Sequence, residues 1–166
     1  CTLGGGVAAD RGVRLAEGLM AAGCDEVGLS DTTGYANPAQ VKDLVTRVRT
    51  AVGSRALCGL HLHNTRGLGL ANVLAGLEVG ITTFDSSLGG LGGCPFAPGA
   101  SGNIVTEDLV FMLEAMGLRT GIDLPRLLDV RSVLREALPG EALYGFTPDA
   151  GLPLGFHPAS ATETTP

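Results

Sequence analysis

The feature that most constrains this chain is a repeat in which a helical pattern ends at a glycine and a short apolar segment follows. The glycines Gly23, Gly53 and Gly80 are 30 and then 27 residues apart. Before each one, apolar residues recur at intervals of three and four, which is typical of a helix with one buried face. The short apolar segments that follow lead into polar loops, as buried parallel strands do. The repeat predicts βα units and an α/β fold with a parallel sheet.

Individual elements follow from the same patterns. Helices are predicted from about Ala8 to Ala22, from Pro38 to Gly53, from about Leu70 to Gly80, from Thr106 to Gly117 and from Leu124 to Ala137. Strands are predicted at Glu26–Ser30, at Ala56–Leu60 with His61 and His63 at its end, and at Ile81–Ser86. Side-chain oxygens of Asn37 and Thr106 are expected to cap two of the helices.

Polar residues follow the predicted strands, which is where both (β/α)8 barrels and doubly wound sheets place their sites. With a further segment that ends near Leu3, about four strands are predicted, whereas a complete barrel has about 250 residues and this chain has 166. We therefore interpret residues 1–138 as about the C-terminal half of a TIM-barrel domain, including C-terminal helices. Residues 139–166 are rich in Pro, Gly and Thr, and they are predicted to form an irregular or disordered tail.

Composition excludes several classes of partner. The net charge is −6, and the 11 Lys and Arg residues are scattered, so no nucleic-acid surface is expected. No apolar segment approaches the roughly 18 residues of a membrane span. The four cysteines are widely spaced, which indicates reduced thiols and a cytoplasmic protein.

Two of the three histidines, His61 and His63, are separated by one residue. On a strand, residues i and i+2 point to the same side, so both imidazoles can reach one ion. A pair of packed, hydrogen-bonded histidines is the alternative. The neighbouring Asn64 and other oxygen donors at strand ends favour a divalent cation such as Mg²⁺ or Mn²⁺.

Three further residues are candidates for chemistry. Asp31 ends its strand and is predicted to be a base or a carboxylate supporting the site, with a turn aspartate as the alternative. Cys94 lies in a glycine-rich loop and is predicted to be catalytic rather than a small buried residue. Asn103 is either a metal ligand or a turn residue. Substrate contacts are predicted at Thr32, Asn64 and Gly93.

Together these motifs resemble the 3-hydroxy-3-methylglutaryl-CoA lyase family in their order and approximate spacing, over Cys1 to about Leu128. The matching segments are Gly28–Gly34, His61–Thr65, Asp85–Ser87, Gly89–Pro95 and Gly99–Asp108. By resemblance, His61, His63 and Asn103 match metal ligands, Cys94 matches a catalytic loop cysteine, and Asp31 matches an active-site aspartate. The family's Arg-Asp-Gly motif on its first strand, which supplies a further ligand and a catalytic arginine, has no counterpart in this sequence.

The resemblance implies a (β/α)8 barrel that uses a divalent cation to cleave its acyl-CoA substrate to acetyl-CoA and acetoacetate. It also implies a role in leucine degradation and ketone body metabolism, and a homodimer when full length.

Single residues distinguish this family from other functions. A Schiff-base aldolase needs a lysine at a strand end, but the single lysine, Lys42, lies on a predicted helix. Biotin-dependent carboxyltransferases also use a His-x-His pair, but they need a modified lysine that has no candidate here. Claisen-condensing synthases of the isopropylmalate and homocitrate type share the histidines and differ in the loop around Cys94. Such a synthase, or an inactive truncated fragment, stays as the alternative.

Overall fold

A computed structural model describes residues 5–93, 99 and 101–162 of the chain. The strand predicted to end near Leu3 lies outside these residues. Its helices are α1 (Ala9–Ala21), α2 (Pro38–Val52), α3 (Gly69–Glu78), α4 (Thr106–Ala115), α5 (Leu124–Ala137) and α6 (Thr147–Ala150). Its strands are β1 (Val27–Asp31), β2 (Leu57–Leu62) and β3 (Phe84–Asp85). Within this described part, none of the helices has the length and apolar character to span a membrane.

The chain divides into two compact units. The first unit contains residues 1–85 and 92–103, and the second contains residues 86–91 and 104–166. The sheet and helices α1 to α3 belong to the first unit, and helices α4 to α6 belong to the second.

The first unit is built on a parallel sheet in the order β1-β2-β3, which confirms the predicted α/β arrangement. Ser30 of β1 is in register with His61 of β2, which is in register with Asp85 of β3. The carboxyl ends of the three strands therefore meet at one edge of the sheet. Side chains of α2, α3 and the sheet form an apolar core, in which Val45, Val48 and Val73 are fully buried.

Strand β3 is shorter than predicted, because the residues before it complete the end of α3. The Ile81 N–H donates to the carbonyl of Gly76 at 2.9 Å, so the backbone of Ile81 belongs to the helix terminus. Pairing with β2 begins at Thr83, whose carbonyl accepts from the Leu60 N–H at 3.0 Å.

The helix ends confirm one predicted cap and contradict the other. The Asn37 side chain accepts from the Gln40 N–H, and the Gln40 side chain accepts from the Asn37 N–H, both at 3.1 Å. Such a reciprocal pair satisfies two amides that a helix leaves free. The prediction for Thr106 was wrong, because α4 begins at Thr106 and its cap position is Val105. The Thr106 hydroxyl donates instead to the Ser86 hydroxyl at 2.9 Å.

The glycines that follow the first three helices are confirmed as helix stops. Gly23, Gly53 and Gly80 have φ angles of 98°, 91° and 82°. Residues with a Cβ rarely adopt this left-handed region, so glycine ends these helices at low cost.

A buried ion pair lies at the centre of the second unit. Nη1 of Arg131 is 2.9 Å from Oε1 of Glu107, and the side chains are 5% and 1% exposed. Glu107 also accepts from the Gly89 N–H, while Arg131 Nη1 donates to the Tyr144 carbonyl at 2.7 Å. The pair thus joins α4, α5 and two loops through charged hydrogen bonds.

The segment expected to be irregular or disordered includes α6 and is bound to α4 by two buried carboxylates. Asp108 accepts from the Phe146 and Thr147 N–H groups at 3.0 and 2.7 Å. Glu114 accepts from the Thr120 and Ser160 N–H groups at 2.7 and 2.6 Å, and from both hydroxyls. Burial raises the pKa of Glu114, but the hydrogen bonds from Ser160 and Thr120 outweigh it and lower the pKa to about 2.

Removing Arg131 is expected to destabilise the second unit strongly. In Arg131→Ala, the buried Glu107 carboxylate loses its cationic partner, and the free energy of unfolding should fall by about 3–5 kcal/mol. The matched control is Arg135→Ala on the same helix, where the side chain is 62% exposed and 3.7 Å from Asp149. That change should cost under about 1 kcal/mol in urea unfolding. Equal losses in the two variants would contradict the structural role of the buried pair.

Glu114 is expected to make stability depend on acidity. The pKa of Glu114 is lowered to about 2 in the folded chain. Its contribution to the free energy of unfolding is therefore complete at pH values above its pKa in the unfolded chain, about 4.3. This contribution is lost as the pH falls from the pKa of the unfolded chain toward the pKa of the folded chain. Urea unfolding between these limits should show a shallower pH dependence in Glu114→Gln than in the parent. Glu141→Gln, at an exposed position, should keep the parent's dependence, and an unchanged slope in Glu114→Gln would refute the assignment.

Candidate functional site

The two histidines converge at the carboxyl end of β2. His61 belongs to the strand and His63 follows its last residue, Leu62. Their Nε2 atoms are 3.2 Å apart and their ring centroids are 5.1 Å apart. His63 is 4% exposed, whereas the His61 side chain is partly exposed. The structure thus brings the pair together as the i, i+2 spacing predicts.

Asn103 lies beside this pair through backbone contacts. It forms an isolated antiparallel bridge with His63, and the Asn64 N–H donates to the Gly102 carbonyl at 2.9 Å. Gly92 makes room for the Asn103 amide, because a Cβ at Gly92 would be 2.6 Å from Asn103 Nδ2. The φ angle of Gly92 is also 104°, so both space and backbone conformation require glycine there.

Asp31 ends β1 and organises the loop that follows. Its carboxylate oxygens accept from the Tyr35 N–H at 2.9 Å and from the Ala36 N–H at 3.1 Å. The turn arrangement considered from sequence is therefore present. The carboxylate also acts on His63 electrostatically, so one side chain both orders its own loop and influences the histidine pair.

The pKa of His63 is lowered, mainly because burial disfavours the charged ring. Repulsion from His61 lowers it further, and the Asp31 carboxylate opposes both effects. The surroundings of His63 therefore favour the neutral ring, which is the form that donates a nitrogen lone pair to a metal ion.

The predicted substrate contacts have different surroundings. Thr32 is exposed at the start of the β1–α2 loop, and Gly93 is exposed beyond Gly92. The Asn64 side-chain oxygen accepts from the Gly69 N–H at 3.0 Å, at the start of α3. The predicted catalytic Cys94 lies outside the described residues.

Two residues that the sequence reasoning missed hold the β1–α2 loop. Arg66 Nη1 donates to the carbonyls of Thr33 and Gly34 at 3.4 and 3.3 Å. Asn72 Nδ2 donates to the Ala36 carbonyl at 3.0 Å, and Asn72 is fully buried. The only signal for Asn72 in the sequence is that its side chain is polar, whereas the rest of that face of α3 is apolar.

The donor set fits a divalent cation. Among the described residues, no group of three or more His, Cys, Asp or Glu side chains is placed to hold a metal ion. The candidate set instead combines the imidazoles of His61 and His63 with the amide of Asn103. Around an octahedral ion with bonds near 2.1 Å, neighbouring ligands are about 3.0 Å apart. The Nε2 atoms of the pair, 3.2 Å apart, match this spacing.

Neutralising Asp31 is expected to lower the pKa of His63 further. In Asp31→Asn the amide oxygen can still accept from the loop, but the charge that raises the His63 pKa is gone. NMR titration of His63 in the metal-free chain should show the lower pKa. Asp25→Asn, at an exposed position, should leave it unchanged. A His63 titration unaffected by Asp31→Asn would show that the two groups do not interact.

The HMGL-like family model matches residues 5–134. A hydroxymethylglutaryl-CoA lyase of Bacillus subtilis is 46% identical over 126 residues, which is 76% of this chain and 42% of that protein. The mitochondrial hydroxymethylglutaryl-CoA lyase of Mus musculus is 44% identical over 138 residues, which is 83% of this chain and 42% of that protein. The chain thus spans less than half the length of these curated relatives.

A solved structure extends the similarity to the fold. An HMG-CoA lyase from Acinetobacter baumannii, in complex with coenzyme A and 3-methylmalate, superposes with a TM-score of 0.85 at 48% sequence identity. The match covers 95% of this chain and 51% of that one. The predicted TIM-barrel fold class is confirmed, with about half of a barrel in this chain.

Proposed function

Because the chain belongs to the HMGL-like family, we propose that it is part of a hydroxymethylglutaryl-CoA lyase. The reaction is the cleavage of 3-hydroxy-3-methylglutaryl-CoA, or a close 3-alkyl relative, to acetyl-CoA and the corresponding 3-oxo acid, acetoacetate. The observation that carries the proposal is the 3.2 Å approach of His61 Nε2 and His63 Nε2 at the strand edge that also carries Asp31. Asn103 lies beside His63 at this edge.

His61, His63 and Asn103 are the residues that hold a divalent cation, Mg²⁺ or Mn²⁺. When bound, such a cation supplies Lewis-acid chemistry, which lowers the pKa of the substrate's tertiary hydroxyl. The lowered pKa of His63 supports this role, because the neutral ring keeps its lone pair. The further ligand and the arginine of the family's Arg-Asp-Gly motif have no counterpart in these 166 residues.

Asp31 is the proposed base, acting directly or through a water molecule. Its two hydrogen bonds from backbone amides hold the carboxylate in one orientation while it accepts the hydroxyl proton. The bond between the carbinol carbon and the thioester CH₂ then breaks. Its electron pair stays on the departing acetyl-CoA enolate, and the carbinol carbon becomes the ketone of acetoacetate.

Cys94 is the proposed proton donor to the enolate carbon. Its thiol proton completes acetyl-CoA, and the proton that Asp31 accepted returns through solvent to the thiolate before the next cycle. The position of Cys94 between Gly93 and Pro95 is the sequence basis for this role.

Thr32, Asn64 and Gly93 are proposed to contact the acyl-CoA substrate. The Acinetobacter baumannii relative was solved with coenzyme A, which supports this substrate class. A homodimer and a cytoplasmic location are proposed for the full-length protein.

The proposal predicts which variants lose activity in the protein that contains this chain. His63→Ala should lower thioester cleavage with Mn²⁺ and weaken Mn²⁺ binding, while His157→Ala, at an exposed position, should leave both unchanged. Cys94→Ala should lower kcat by about a hundredfold or more with Mn²⁺ affinity preserved. Cleavage is measured as acetyl-CoA release.

The same assay on the 166-residue chain and on an N-terminally extended one separates the alternatives. If the extended chain cleaves the thioester and the 166-residue chain does not, this chain is an inactive part of the lyase. Condensation of acetyl-CoA with a 2-oxo acid, without cleavage by either chain, would favour the Claisen-synthase alternative. Full cleavage activity in His63→Ala would overturn the proposed site.

A further inference from the structure

The His61 ring lies between two groups on opposite sides. Its Nε2 atom is 3.2 Å from Nε2 of His63, and its Nδ1 atom is 3.4 Å from Oδ2 of Asp85. His61 and Asp85 are register partners on the neighbouring strands β2 and β3. Partners in a parallel pair point to the same side of the sheet, so the backbone itself brings this carboxylate to the ring.

A neutral imidazole carries one proton, and its nitrogens therefore have different roles. A carboxylate can only accept at this site, so it favours the proton on the nitrogen that faces it. We propose that Asp85 is a positioning residue, which accepts the Nδ1 proton of His61 and so directs the Nε2 lone pair of His61 toward His63. This inference rests on the proposed function, which makes His61 a metal ligand.

Asp31 does not provide this selection, although the charge of its carboxylate also acts on the site. Its oxygens accept from the Tyr35 and Ala36 N–H groups, and its electrostatic effect is on His63. The two carboxylates thus act on different rings. Asp85 contacts the partly exposed ring, and its own side chain is 71% exposed.

The assignment has a consequence for His63. If the Nε2 atom of His61 presents a lone pair, the 3.2 Å contact between the rings requires a proton on Nε2 of His63. The Nδ1 atom of His63 is buried and has no hydrogen-bond partner among the residues that the structure describes, so a proton there is disfavoured in the metal-free chain. The two histidines are then opposite tautomers, with His61 protonated at Nδ1 and His63 at Nε2. Binding of an ion by both Nε2 atoms requires the proton of His63 to move to Nδ1, while His61 stays as it is.

The test is a long-range ¹H–¹⁵N NMR spectrum of the metal-free chain labelled with ¹⁵N-histidine, which distinguishes the two tautomers directly. The parent is expected to show His61 protonated at Nδ1 and His63 at Nε2. In Asp85→Ala, His61 should become a mixture of both forms. Asp85→Asn keeps one oxygen acceptor without the charge, and it should give a smaller change in the same direction. Asp43→Ala, at an exposed carboxylate on α2, is the matched control and should leave both tautomers unchanged.

Titration with Mn²⁺ alone gives a second measurement in the same variants. Loss of the carboxylate behind a histidine ligand typically weakens metal binding by about 10- to 100-fold. We expect this loss in Asp85→Ala, a smaller one in Asp85→Asn and none in Asp43→Ala. If Asp85→Ala does not fold, the Asp85→Asn spectrum and titration still decide the question.

The outcomes also separate this inference from the proposed function. An unchanged His61 tautomer and unchanged Mn²⁺ affinity in both Asp85 variants would overturn the role of Asp85, even if the parent protein cleaves the thioester. A tautomer change, together with no cleavage by the N-terminally extended protein, would support Asp85 as a positioning residue and overturn the lyase proposal.

Discussion

Parallel pairing of three strands in one register is the constraint on which the candidate site depends. Ser30, His61 and Asp85 are aligned across the sheet, so residues far apart in the sequence reach the same edge. A shift of one residue in β2 would turn the histidines to the other side of the strand. The register is stabilised by the buried apolar residues of β2, since Leu57, Leu60 and Leu62 are all nearly inaccessible.

Much of the first unit could be predicted because its information is local. Helical spacing and stop glycines identify α1 to α3, and an Asn-Pro pair identifies the start of α2 with its capping residue. The His-x-His spacing predicts convergence of the imidazoles, since the alternation of a strand is enough to orient them. The start of the short β3 was harder to predict. The apolar pattern of the segment does not show that the amide of its first residue, Ile81, completes the preceding helix.

The residues that were missed act through partners distant in sequence. Arg66 and Asn72 donate to carbonyl groups more than thirty positions away, and a carbonyl has no sequence signature. Asp85 is a partner of His61 only once the strand register is known. The acidic residues of α4 are similar, because Glu107, Asp108 and Glu114 are buried against backbone amides of segments before or after the helix. A sequence pattern places such carboxylates on the solvated face of a helix, and only tertiary contacts bury them.

The β1–α2 loop is held through its own backbone at four successive residues. Arg66 binds the carbonyls of Thr33 and Gly34, Asn72 binds that of Ala36, and Asp31 binds the amides of Tyr35 and Ala36. The conformational entropy of this segment is therefore lost during folding. A ligand that arrives at the strand edge meets a loop already in its final shape, and its binding free energy is not reduced by ordering the loop.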